Sequence, residues 1–118
     1  LNSRYGLGIS VDNISGPETK RALIKGYQTE LNKQFNAGLT VDGIWGPRTE
    51  GASVTVRRGA RGNLTWILQA ALRCEGYSIA VDGIFGGGTE KTVRQFQRDA
   101  GISVDGIPGP VTFRHLFN

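Results

Sequence analysis

Four aspartates recur in one setting. Asp12, Asp42, Asp82 and Asp105 each stand second in a phrase: VDNISGPETK (11–20), VDGIWGPRTE (41–50), VDGIFGGGTE (81–90) and VDGIPGPVTF (104–113). Paired carboxylates could act as general acid and base. Glycoside hydrolysis, for example, needs two of them about 5–9.5 Å apart across a substrate cleft. The phrase itself favours a structural use. Asp beside Gly makes a tight turn, because the Asp side chain bonds nearby backbone N–H groups and Gly supplies positive φ. Gly46-Pro47 then suits a helix start, and Thr and Glu in the first turn complement its free N–H groups. The repeated Val and Ile read as two apolar pegs holding an irregular loop to the core.

Other catalytic chemistry finds little support. Cys74 and His115 are the sole cysteine and histidine, so neither an internal disulfide nor a zinc site of the usual kind can form. Cys74 reads as a small buried hydrophobe rather than a nucleophile. Neither G-x-S-x-G nor H-E-x-x-H occurs. One slot in the phrase varies: Ser15, Trp45, Phe85 and Pro108 follow the repeated Ile. Trp45 and Phe85 there could be rings beside a helix N-terminus, stacking on a sugar or methyl group, or they could cover the core.

The elements that position these residues repeat as well. Adding 70 aligns the first phrase with the third, and adding 63 aligns the second with the fourth, so two larger units each hold an opening and a closing phrase. In the second unit, Leu64, Leu68, Ala71 and Leu72 share a helical face, with Asn63 as N-cap and Gly76 as stop. Val93 and Phe96 mark a second helix ended by Gly101, and Phe113, Leu116 and Phe117 a short third one. The first unit has a longer middle helix with a stripe of Ala22, Leu23, Tyr27, Leu31 and Phe35. Its LNSRYG opening matches only the last turn of a first helix. The expected organisation is all-α: two tandem three-helix units, a truncated one over 1–52 and a complete one over 63–118, joined by a basic, glycine-punctuated connection at 53–62. Trp66, off the stripe of its helix, is expected to pack between the units.

Composition limits partners more than function. Fourteen Lys and Arg oppose ten Asp and Glu, and most of the excess lies after residue 56, opening with Arg57, Arg58 and Arg61. That suits an anionic polymer such as a cell wall, a nucleic acid or an acidic membrane. No apolar run nears the roughly 20 residues that span a bilayer. The start shows neither Met nor a leader pattern, as expected of a module taken from something longer.

The segment LQAALRCEGYSIAVDGIFGGGTEKTVRQFQRDAGISVDGIPGPVTFRHL resembles the peptidoglycan-binding domain type 1 family. The likeness includes Leu68-Gln69, Leu72, Gly76-Tyr77, both VDG phrases, Thr89, Val93, Phe96-Gln97 and Gly101. Residues 1–52 resemble a degenerate copy, with Asn13 in place of Gly. In the second unit, Gly87 replaces the usual Pro. The resemblance implies a non-catalytic module that binds peptidoglycan and targets an attached wall hydrolase, an autolysin or phage endolysin, at the bacterial cell wall or outside the cell. It implies no cofactor and no metal. Its expected site is the groove between an opening phrase and the helix that follows, with Tyr77, Phe85, Arg94 and Gln97 as contacts and Trp45 and Arg48 as first-unit counterparts. Competing readings are a small wall hydrolase and a basic nucleic-acid-binding helical domain. The scattered arginines favour neither nucleic acid nor membrane as partner. The incomplete first unit also allows two chains to complete each other as a homo-oligomer.

Overall fold

The computed structural model describes residues 16–117, with side chains from Lys20 onward. Asp12, Ser15 and the LNSRYG segment lie outside the described residues, and with them the readings of a truncated helix and of chain exchange. Five helices follow in order: α1 (Gly16–Phe35), α2 (Pro47–Ala52), α3 (Asn63–Cys74), α4 (Gly87–Ala100) and α5 (Pro110–Phe117). The described residues contain no strand, only an isolated antiparallel bridge between Arg61 and Ile84. The all-α expectation therefore holds.

The helix ends follow from local chemistry. Gly46 and Gly86 are the N-caps of α2 and α4 in extended conformation, and Pro47 opens α2. α4 forms with Gly87 where Pro would stand. Gly101 closes α4 in the left-handed region, and Gly62, rather than Asn63, caps α3. α1 ends where its apolar stripe ends. Phe35 is its last residue, Asn36 then takes φ of 53° and turns the chain, and Phe35 is 54% exposed instead of on the core face.

α3 is the central helix. Its run Thr65–Leu72, Trp66 included, is buried all round rather than along one stripe, because α1, α4 and α5 all pack against it. Cys74, at its end, is only half-buried. Side chains from both halves of the chain form one continuous core. The Tyr27 ring of α1 stacks on Phe113 of α5 at 4.7 Å between centroids and lies 5.9 Å from Trp45. Phe117 lies 5.8 Å from Trp45. Tyr27 Oη also shares a 2.5 Å hydrogen bond with Ser53 Oγ. Burial, opposed in part by that bond, pushes the Tyr27 phenol above its ordinary pKa.

The variable slot belongs to this core. Phe85 is 1% exposed, Trp45 is buried, and Pro108 is buried with them. The repeated Ile does the reverse: Ile44 is 59% and Ile84 46% exposed. Val41 and Val104 are exposed too, so the expected pegs are corrected at these positions; Val81 and Ile107 are half-buried, and Val81 packs on the core. Neighbouring residues of an extended segment face opposite ways, so when the slot residue points inward the Ile before it points out. Phe85→Ala should cost about 3–5 kcal/mol, the usual penalty for emptying a buried ring site; urea denaturation of the variant measures it. A loss within about 0.5 kcal/mol, the range of an exposed site, would contradict this placement.

Candidate functional site

Each described VDG loop is held by one buried glutamine. Gln69 of α3 is wholly buried. Its Oε1 accepts the backbone N–H groups of Asp82 (3.0 Å) and Gly83 (2.8 Å). Its Nε2 donates to Asp82 Oδ1 (3.1 Å), the Ile84 carbonyl (3.0 Å) and Thr89 Oγ1 (3.0 Å). The two N–H donors fix which end of the amide is oxygen. Gln28 of α1 makes the same five contacts to Asp42, Gly43, Ile44 and Thr49. Gln97 of α4 makes them to Asp105, Gly106, Ile107 and Thr112. In all three loops the Asp carboxylate also accepts the N–H two residues on, at 2.9–3.0 Å. The aspartates are thus turn formers, as their setting suggested.

The loops require glycine at the position after Asp. Gly43, Gly83 and Gly106 have φ of 75°, 78° and 72°. At Gly43 a Cβ would also stand 2.6 Å from Arg21 Cγ and 3.2 Å from the Arg21 carbonyl.

Between each loop and the helix after it runs a shallow groove. The first, of about 200 Å³, is lined by Thr40, Asp42, Ile44, Arg48 and Thr49 among others. The second, of about 310 Å³, has Ala80, Asp82, Ile84 and Thr89 at matching positions. The third, of about 220 Å³, has Ser103, Asp105, Ile107 and Thr112. Each groove therefore presents an Ile, a carboxylate and the first turn of a helix.

The six residues singled out from sequence do not converge on one site. Arg48 lines the first groove and is exposed. Arg94 is exposed, and its Nε lies 3.0 Å from where a Cβ on Gly106 would stand, beside the third loop. Tyr77 is half-buried, edge-on to Phe96, with its hydroxyl donating to Asp99 Oδ2 at 2.5 Å. Burial first, then that bond, pushes its pKa up to about 12. Phe85 is core. Trp45 is also packed, with Nε1 donating to Glu50 Oε1 at 3.1 Å; part of the ring edges a separate cavity of about 550 Å³ beside Pro47 and Pro110. Gln97 anchors the third loop: it is 1% exposed, both ends of its amide are occupied, and it lies at the base of the third groove. Sequence reasoning missed Ile44 and Ile84 as exposed groove residues, and missed Gln28. The available signal was an apolar residue followed by Gln, as in Tyr27-Gln28, Leu68-Gln69 and Phe96-Gln97. Among the described residues no group of His, Cys, Asp or Glu could hold a metal ion.

The carboxylates register this arrangement. The Ile44 and Ile84 N–H groups first, then the Gln28 and Gln69 amides, hold Asp42 and Asp82 below the ordinary carboxylate range. The Ile107 N–H does the same for Asp105, with Gln97 as the smaller favourable contribution. A depressed folded pKa gives stability that is present above the unfolded pKa and lost as pH falls through the folded one. The urea midpoint should hold down to about pH 4.5 and drop below about pH 4, the unfolded carboxylate range. Asp82→Asn, which keeps an acceptor but no titratable charge, should give a shallower acid decline. Gln69→Leu should cost about 3 kcal/mol or more at pH 7, since it strands several buried polar groups.

Residues 61–116 match the family described as "Putative peptidoglycan binding domain". The chain is 31% identical over 106 residues to the uncharacterized protein FadG of Bacillus subtilis, covering 88% of this chain and 18% of that protein. It is 43% identical over 62 residues to a spore cortex-lytic enzyme of Bacillus cereus, covering 52% of this chain and 24% of that enzyme. Among solved structures, the SleB N-terminal domain is similar at 41% identity and a TM-score of 0.51, covering 52% of this chain and 86% of that one. The chain spans about a quarter or less of these curated relatives. The two glutamine-anchored VDG loops, between α3 and α4 and between α4 and α5, lie inside the matched residues, so the match to the peptidoglycan-binding domain family is carried by residues 61–116.

Proposed function

We propose that the chain is a non-catalytic module of two tandem units, 1–52 and 63–118 joined by 53–62. It holds bacterial peptidoglycan and keeps an attached wall hydrolase at its substrate. The observation that carries this reading is the repeated groove, in which an exposed Ile stands beside the first turn of a helix in the first and second loops. An exposed branched aliphatic held at the same point of a rigid loop has no packing role to explain it. Grooves of this size cannot enclose a ligand. They fit small protruding groups of a polymer, such as the N-acetyl or lactyl methyls of a glycan strand, with Arg48 and Arg94 beside them for carboxylates.

The spore cortex-lytic relative gives the setting: a short binding segment in a longer lytic enzyme. Weak grooves suffice there, because linkage turns modest affinity into high local concentration of the catalytic part. The place of action is then the bacterial wall, reached by an exported autolysin or a phage endolysin.

Retention on purified sacculi tests this. Wild-type chain should co-sediment with the wall. Ile44→Gln with Ile84→Gln should keep its urea midpoint, since both side chains are exposed, yet lose about tenfold in retention, as expected when roughly 1.4 kcal/mol of contact is removed. Equal recovery with and without sacculi would reject the reading.

A further inference from the structure

A larger cavity, of about 530 Å³, lies away from the three grooves, where the end of α1, the 53–62 connection and the start of α3 meet. Its size falls in the range of small-ligand pockets. Phe35, Val56 and Leu64 give it apolar walls, while Arg57 and Arg61 bring two cations that form no ion pair among the described residues. The α3 N-terminus opens into it, and no side chain caps that terminus. The first-turn N–H groups of a twelve-residue helix favour an anion there.

A second feature points the same way. Thr65 lines the cavity and is 1% exposed, yet its hydroxyl has no hydrogen-bond partner among the described residues. A buried polar group without a partner is costly, so a ligand acceptor at this point would satisfy it. The neighbouring Glu30 narrows the ligand further. It is buried at the α1–α3 contact and is held by neutral amides alone, accepting from Gln34 Nε2 at 2.7 Å and Asn63 Nδ2 at 3.1 Å. Gln34 and Asn63 both line the cavity. A carboxylate behind them opposes a bare polyanion and favours a group that brings an amine with its carboxylate.

The geometry points to a binding site for the free carboxylate end of a short peptide that also carries an amine, which on the peptidoglycan reading is the stem peptide rather than the glycan. The carboxylate sits on the α3 first turn, the Thr65 hydroxyl and the Arg57 and Arg61 guanidiniums, and the aliphatic part of the peptide lies on Phe35 and Leu64. This inference rests on the proposed function and adds a peptide site apart from the glycan-facing grooves.

The test titrates the full ¹⁵N-labelled chain with a diamino-acid-containing stem tetrapeptide as free acid, with the same peptide amidated at its C-terminal carboxylate, and with peptide-free glycan oligomers. The free acid should shift the amides of Val56, Arg57, Leu64 and Thr65, and the amide form should bind about tenfold more weakly, as for loss of a charge-assisted hydrogen bond. Thr65→Val should leave the urea midpoint equal or higher, because it removes an unpartnered hydroxyl, yet weaken free-acid binding several-fold. Equal binding of both peptide forms, unchanged affinity in Thr65→Val, or peptide shifts confined to the three VDG grooves would overturn the site. Absent peptide binding with intact sacculus retention would sink the peptide site alone, and loss of both would sink the wall-binding reading with it.

Discussion

A primary amide carries an acceptor and a two-hydrogen donor on one rigid plane. Buried under a loop, it can accept from two successive backbone N–H groups and share its two N–H hydrogens among a carboxylate, a carbonyl and a hydroxyl. Gln28, Gln69 and Gln97 all do this. Each reaches from one helix to a turn and to the first turn of the next helix. The amide thereby sets loop conformation and the position of the following helix together. Asn carries the same amide but is one methylene shorter. A glutamate would bring a second carboxylate against the Asp and lose every donor.

That constraint also decides what the grooves display. Once the turn is fixed, the extended pair after Gly has one residue inward and one outward. Trp45 and Phe85 go in, and Ile44 and Ile84 go out. The slot tolerates Trp, Phe and Pro because each fills a different space beneath its loop. Trp45, for example, meets the Tyr27 and Phe117 rings.

The two halves are tied more closely than a linker would tie them. The connection runs along both loops of the second half: Val56 N–H donates to the Pro108 carbonyl, Gly59 N–H to Phe85, and Gly62 N–H to Gly83, while Phe85 N–H donates back to Ala60. Lys20–Glu75 at 3.0 Å and Arg114–Glu50 at 3.2 Å join the halves at the surface, where partly exposed pairs add little. The stacked rings of Tyr27, Phe113 and Phe117 and the packing of α1 on α3 carry most of the attachment. The cavity at the start of α3 exists because of this arrangement, since it is walled by both halves and the strand of chain between them.

Much of this was legible in the chain itself. Asp-Gly turns, Gly-Pro helix starts and glycine stops are local chemistry, read within a few residues, and helical periodicity located α3, α4 and α5. The aspartates were recognisable as turn formers for the same reason. What sequence alone could not decide was facing. A stripe on α3 reads as one apolar side, yet three helices close around it, and burial on the remaining sides depends on residues far away in the chain. Phe35 continues the stripe, yet as the last residue of α1 it stays exposed. Whether Ile84 or Phe85 points inward depends on a hydrogen-bonded loop held by Gln69, thirteen or more residues upstream. The pairing of each glutamine with its loop, and with it the identity of the exposed residues, arises only when the helices are packed, because the amide and its partners come from three stretches of chain: one helix, the loop and the first turn of the next helix.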